Sequence, residues 1–232
     1  KIQDLATMVS PVGIAFSTLT MTFIAFDFMM STDYHWFSTI YGVIYFAGSF
    51  MSCFALLAIL TVLLRAGDYL GGAVTTEHQH AIGKMMWGLN CFWAYTSFSQ
   101  FMLIWYANIP EETLWYKHRW EHGWWIFSMI LLLGHFALPF FAGMSRHVKR
   151  NPKLIVLLSV WLLLMHYIDL FWQIKPNMHH GHGEASIGVA EIAAFVGVGG
   201  VFLAVFTALL QRSPLIPVKS PRLPESMAFE EI

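Results

Sequence analysis

The chain has 232 residues, of which 57% are hydrophobic, 16% aromatic and 12% charged, with a mean hydropathy of +0.57. Soluble domains carry charge on about a quarter of their residues, so this composition excludes an ordinary water-soluble fold. A net charge of −1 with no basic stripe excludes nucleic acid as a partner, and two cysteines cannot form a disulfide framework or a cysteine-based metal site.

About 20 mostly apolar residues cross the hydrocarbon core of a bilayer. Six segments reach that length: 9–31, 37–65, 84–107, 121–144, 154–174 and 187–211. Lipid offers backbone N–H and C=O groups no partner, so each such segment must be helical. The reading is an all-α, polytopic transmembrane bundle over residues 1–212, followed by a polar, proline-rich tail over 213–232. Pro214, Pro217, Pro221 and Pro224 keep that tail from being helical throughout. Short connections make successive helices antiparallel neighbours, which predicts an up-down four-helix core with flanking helices.

Lys and Arg fix the expected orientation. Lys1, Arg65, Lys84, Arg146, Lys149, Arg150, Lys153, Arg212, Lys219 and Arg222 fall on one side, and only Lys117, Arg119 and Lys175 on the other. The first side, with both chain ends, is therefore expected in the cytoplasm. The opposite turns carry Tyr34, Trp36, Trp115, Tyr116, Trp120, Trp124 and Trp125, which read as interfacial anchors. Cys53 and Cys91 lie inside apolar runs and read as small buried hydrophobes. Gly48 with Ser52, and Gly197, Gly199 and Gly200, read as close helix-packing positions.

Ionisable groups inside spans are costly, and each one is a candidate site. Five are present: Asp27, His135, His166, Asp169 and Glu191. At about 1.5 Å per residue, Asp27, Asp169 and Glu191 lie roughly 6–8 Å deep, His166 about 12 Å and His135 about 21 Å. His166, Asp169 and Gln173 share one helical face. Carboxylates at the outer mouth with imidazoles below them suit proton transfer, since environment moves both groups toward neutral pH. Asn90, Tyr95, Thr96, Ser99 and Gln100 extend the polar path, and Glu77, His78 and His80 stand near the cytoplasmic mouth. Each of these groups also has a plain packing role open to it. Bis-histidine haem is disfavoured by a depth gap of about 9 Å between His135 and His166. The run His179, His180, His182 and Glu184 lacks regular ligand spacing and reads as a solvated turn, so no metal site is assigned.

Four stretches together resemble one family. FWAYTSFSQFMLIWYANIPEETLWY (Phe92 to Tyr116), KHRWEHGWW (Lys117 to Trp125), SRHVKRNPK (Ser145 to Lys153) and MHYIDLFW (Met165 to Trp172) are similar to the ActF membrane subunit of bacterial alternative complex III, related to the NrfD/PsrC group. Members have about ten spans, so the resemblance implies that six spans correspond to the C-terminal part of a longer subunit. It implies a place in a quinol:acceptor oxidoreductase of an electron transport chain in a bacterial plasma membrane. The partners implied are a multihaem cytochrome c, an iron–sulfur subunit, an ActC-like quinol-binding subunit and membrane lipids. Haem c and iron–sulfur clusters would sit in those partners, with no cofactor bound by this chain, and C-x-x-C-H is absent from it. The expected role is non-redox: supporting assembly and providing a proton half-channel through Asp27, Glu191, Asp169, His166 and His135, without catalysis by this chain alone. Direct quinol binding at His166 and Asp169 is the alternative, and an unrelated transporter or scaffold a third reading.

Overall fold

The computed structural model describes residues 2–179, 187–212 and 214–230. Among them the chain is helical and contains no strand. Ten α-helices follow one another: α1 (Ile2–Ile24), α2 (Tyr41–Ala66), α3 (Thr76–Ala107), α4 (Pro110–His118), α5 (Trp124–Ile130), α6 (Leu138–Met144), α7 (Arg146–Arg150), α8 (Pro152–Ile174), α9 (Val189–Arg212) and α10 (Leu223–Met227). A π-helical stretch, Leu131–Ala137, joins α5 to α6 into one rod, and another, Ala25–Met29, extends α1.

Local signals place the ends. Pro152 opens α8 behind Asn151, whose side chain accepts from the N–H groups of Lys153 and Leu154. The long helix α3 starts where the Thr75 N–H donates to His78 Nδ1 at 3.1 Å, and ends at Asn108 in the left-handed conformation. Pro110 then starts α4, with Glu111 and Glu112 in its first turn and Lys117 and His118 in its last.

Among the described residues, five helical rods are long and apolar enough to cross a membrane: Asp4–Thr32, Tyr41–Ala66, Trp124–Met144, Pro152–Asn177 and Val189–Arg212. The protein is a multi-pass membrane protein. The remaining expected span, 84–107, lies in α3, whose 32 residues exceed the length a span needs. Its composition is more polar because Asn90, Thr96 and Gln100 face the bundle interior and are buried there. The same helix reaches back to Thr76, so the connection expected over 66–83 is half its predicted length.

The rods α2, α3, α5–α6 and α8 form the up-down four-helix core. α2 packs on α3 and α8, and the α5–α6 rod closes the ring against both. Met51, Ala55, Met86, Ile155 and Leu162 fill its basic end, and Ile44, Ala47, Trp93 and Leu131 its middle. α1 leans on α2 from outside. α9 has no buried residue and meets the core at its first turns, where Tyr167 donates to the Glu191 carbonyl at 3.3 Å and Lys175 pairs with the Glu191 carboxylate. The tail folds back beside α3, with His78 Nε2 3.1 Å from Ser226 Oγ.

Several expectations need correction. Trp36, Trp115 and Trp124 are core residues rather than interfacial anchors: Trp36 stacks on Trp115 at 4.6 Å between centroids, and all three are buried. Tyr34, Trp120 and Trp125 remain exposed. Cys53 is exposed and Cys91 half-buried, because both fall on outward faces of their helices. Gly197, Gly199 and Gly200 have nothing of this chain within 4 Å where a Cβ would stand.

Candidate functional site

The centre of the bundle holds the groups that a membrane interior tolerates least. Asp169 and His166, one turn apart on α8, and His135, on the π-helical stretch, are all buried, at 2%, 8% and 0% exposure. His166 Nδ1 stands 3.9 Å from Asp169 Oδ2, and the two imidazole centroids are 6.4 Å apart. That separation is shorter than the depth gap of about 9 Å expected from a constant rise. One ligand-type atom from each of the three lies within 4.8 Å of the others.

Local sequence explains why His135 points inward. Pro139 has no N–H, and its ring crowds the carbonyl four residues back, which is that of His135. The helix widens to the π form just before this proline. Carbonyls along the distorted rod are taken up by neighbours: Trp161 donates to Gly134 at 2.8 Å, Asn90 to Phe136 at 3.4 Å and Trp87 to Phe140 at 3.0 Å. A non-ideal helix inside a membrane needs such partners. The rod therefore loses regular α-geometry at its centre, over Leu131–Ala137.

His166 has room because Gly48 faces it. A Cβ on Gly48 would stand 2.6 Å from His166 Cε1, closer than such atoms approach. Gly48 is therefore a close-approach position, as its spacing suggested, but its neighbour is the imidazole. The Trp93 indole N–H donates to Asp169 Oδ2 at 3.0 Å, and its ring lies 3.8 Å from that of His135. Trp93 thus ties the carboxylate to the histidine level. Sequence reading missed it, although Trp93 lies on the buried α3 face of Asn90, Thr96 and Gln100, three residues from Asn90. Tyr95, assigned to the same path, turns outward instead.

Above the cluster sits Arg119, buried completely. It donates to the carbonyls of Trp115 at 2.8 Å and Gln173 at 2.7 Å and to Asn177 Oδ1 at 3.1 Å. Its guanidinium stacks over the Trp115 ring at 3.4 Å. Asn177 in turn donates to Thr32, so the arginine ties α4, the end of α8 and the end of the first rod together. Burial pulls Arg119 down to about 9, opposed by Tyr41, Tyr116 and Asp33, which leaves it charged at neutral pH. Charge counting had taken it for a loop cation.

A cavity of about 680 Å³ opens between α3, α4 and the α5–α6 rod. Its walls are mainly apolar and aromatic, including Phe98, Phe101, Leu132 and Phe136, and its floor carries Asp169, Gln173 and Gln100. Tyr95 and Phe98 at its mouth are exposed on the outer face of α3. Cavities of this size and polarity hold small amphiphilic molecules.

The other expected residues lie elsewhere. Asp27 is exposed on the extension of α1, and Glu191 pairs with Lys175 where α9 meets α8. The structure brings His135, His166 and Asp169 together and does not bring Asp27 or Glu191 to them. Glu77 pairs with Arg150 at the basic end, and His80 is buried there. His180, His182 and Glu184, and the side chain of His179, lie outside the described residues. No protein-family model matches the chain, and no characterised protein matches it significantly.

Proposed function

We propose that the protein is the membrane subunit of a quinol:acceptor oxidoreductase of the alternative complex III type, and that quinol docks in the α3–α5 cavity with its head group at Asp169. The observation that carries this reading is the apolar cavity ending on a buried carboxylate that is backed by two imidazoles. An isoprenoid tail lies along the aromatic wall and leaves between Tyr95 and Phe98 toward lipid. The head-group hydroxyls meet Asp169, Gln173 and Gln100.

Oxidation of a quinol to a quinone releases two electrons and two protons. Asp169 accepts the two protons from the head group one after the other and hands each to His166 Nδ1, 3.9 Å away, and His135 lies next in line. The electrons would pass to an acceptor held by partner subunits, which by the family resemblance would be iron–sulfur clusters and c-type haems. The short path through these three residues is what remains of the proton half-channel; Asp27 and Glu191 lie off it. The exposed faces of α1 and α9 serve assembly against lipid and partner subunits. The basic end of the bundle is its cytoplasmic side in a bacterial plasma membrane.

The test is a titration of the protein in lipid nanodiscs with a short-tailed quinol analogue, read by quenching of tryptophan fluorescence, since Trp93, Trp115 and Trp172 line the cavity. Saturable quenching is expected, weakened about tenfold or more in Asp169→Asn through loss of a charge-assisted hydrogen bond. Non-saturable quenching, or an unchanged Asp169→Asn titration, contradicts the reading. A transporter unrelated to electron transfer is the competing class, favoured by the distorted rod at Leu131–Ala137. Co-purification with multihaem and iron–sulfur proteins separates the two.

A further inference from the structure

Two buried imidazoles meet a buried carboxylate at the bundle centre, and most of the imidazoles' bonding capacity is unused. Both ring nitrogens of His135, and His166 Nδ1, have no hydrogen-bond partner within the described protein. Buried polar atoms in folded proteins are nearly always paired, and clustered exceptions mark a functional role. Asp169 offers a carboxylate oxygen within 4.8 Å of both imidazoles.

We infer that His135, His166 and Asp169 form a coordination site for a divalent transition ion of the Zn²⁺ class. Two neutral imidazoles and one carboxylate are a donor set that such ions take, at about 2.0–2.2 Å from each donor. Closing the triangle to those distances moves each donor by less than about 1 Å. His135 swings without breaking a hydrogen bond, and so does His166 at Nδ1. Trp93 already performs the orienting task that metal sites assign to a neighbouring group, holding Asp169 Oδ2 from its indole N–H at 3.0 Å. The carboxylate reduces the charge of the bound ion to a single positive one, which lowers the cost of holding it away from water. The cavity that reaches Asp169 brings the ion to the carboxylate first.

The coordination itself is independent of the quinol reading. Its consequence rests on that reading: an ion on these atoms displaces the transferable proton and blocks the head-group contact, so Zn²⁺ acts as a reversible inhibitor.

The experiment uses the full-length protein in nanodiscs, stripped with a chelator and titrated with Zn²⁺. One equivalent is expected to bind to the wild type and to a His179→Ala/His180→Ala/His182→Ala variant, which removes the competing run of histidines. Binding is expected to be lost in His135→Ala and Asp169→Asn, and weakened about tenfold in Trp93→Phe. X-ray absorption of the Zn²⁺-loaded wild type needs no variant to fold, and is expected to show two imidazoles with oxygen ligands. Binding that follows the His179–His182 run, binding unchanged in Asp169→Asn, or a spectrum with sulfur or fewer than two imidazoles would overturn the inference. Zn²⁺ binding without saturable quinol binding leaves the inference standing and removes only the proposed function.

Discussion

Two helices of nearly equal length and apolar character, α8 and α9, differ in almost everything else. α8 buries Ile155, Leu162, Met165, His166, Asp169 and Gln173 in the bundle, packed on α2 and the α5–α6 rod, whereas α9 has no buried residue. Hydropathy reports the solvent a helix belongs in and is silent on which face meets protein. The polar stripe on α8 carries that information, because His166, Asp169 and Gln173 cannot face lipid cheaply and must therefore point at other helices. α9 has no such stripe, and a Cβ at Gly197, Gly199 or Gly200 would meet nothing among the described residues within 4 Å.

That contrast can be broken at defined points. The largest effect is expected for Asp169→Asn, which keeps the size of the side chain and removes its ability to take a proton. Under the proposed function, quinol oxidation by the assembled complex should fall by about 10²-fold or more, the usual weight of a positioned proton acceptor. Unaltered turnover would move the chemistry to another subunit. Next is Arg119→Ala, which abandons two buried carbonyls and the Asn177 side chain. Each stranded group costs about 1–3 kcal/mol, so the thermal unfolding temperature in detergent should drop markedly. An unchanged unfolding temperature would mean that water replaces the guanidinium.

Gly48→Ala probes the space behind His166. The added methyl overlaps the imidazole, and overpacking of this kind costs about 1–3 kcal/mol. It should also weaken quinol-analogue binding through displaced His166, whereas Ala at a merely structural glycine would change stability alone. The smallest effect belongs to α9. Gly199→Ala has no neighbour to meet, and the stability of the isolated protein should not fall by more than about 0.5 kcal/mol, since alanine also favours the helix. A larger loss, measured by the same unfolding assay, would show that α9 packs on the chain itself.

Much of the architecture was legible before any coordinates. Long apolar runs dictate helices in lipid, and every expected span overlaps an observed helix. The His166–Asp169 pair was legible because three residues along a helix is one face. What escaped had physical reasons. The burial of Arg119 follows from aromatic rings and carbonyls that replace water around a cation, and charge counting assumes water. Trp36 and Trp115 look like membrane-interface anchors in sequence, yet stacking on one another buries them. The π-helical stretch before Pro139 changes which face His135 presents, and depth arithmetic at a constant rise cannot register it. Trp93 was overlooked because a tryptophan in an apolar run reads as bulk, while its single N–H is what fixes Asp169.

Photoaffinity labelling with an azido-quinone in native membranes, followed by peptide mapping, tests the proposed quinol site in the cavity most directly. Label is expected on the α3 face from Tyr95 to Phe101 and on Leu132 or Phe136, competed away by excess quinol and lost in Asp169→Asn. Label confined to α1 or α9, or label on the cavity wall that excess quinol does not displace, would contradict it.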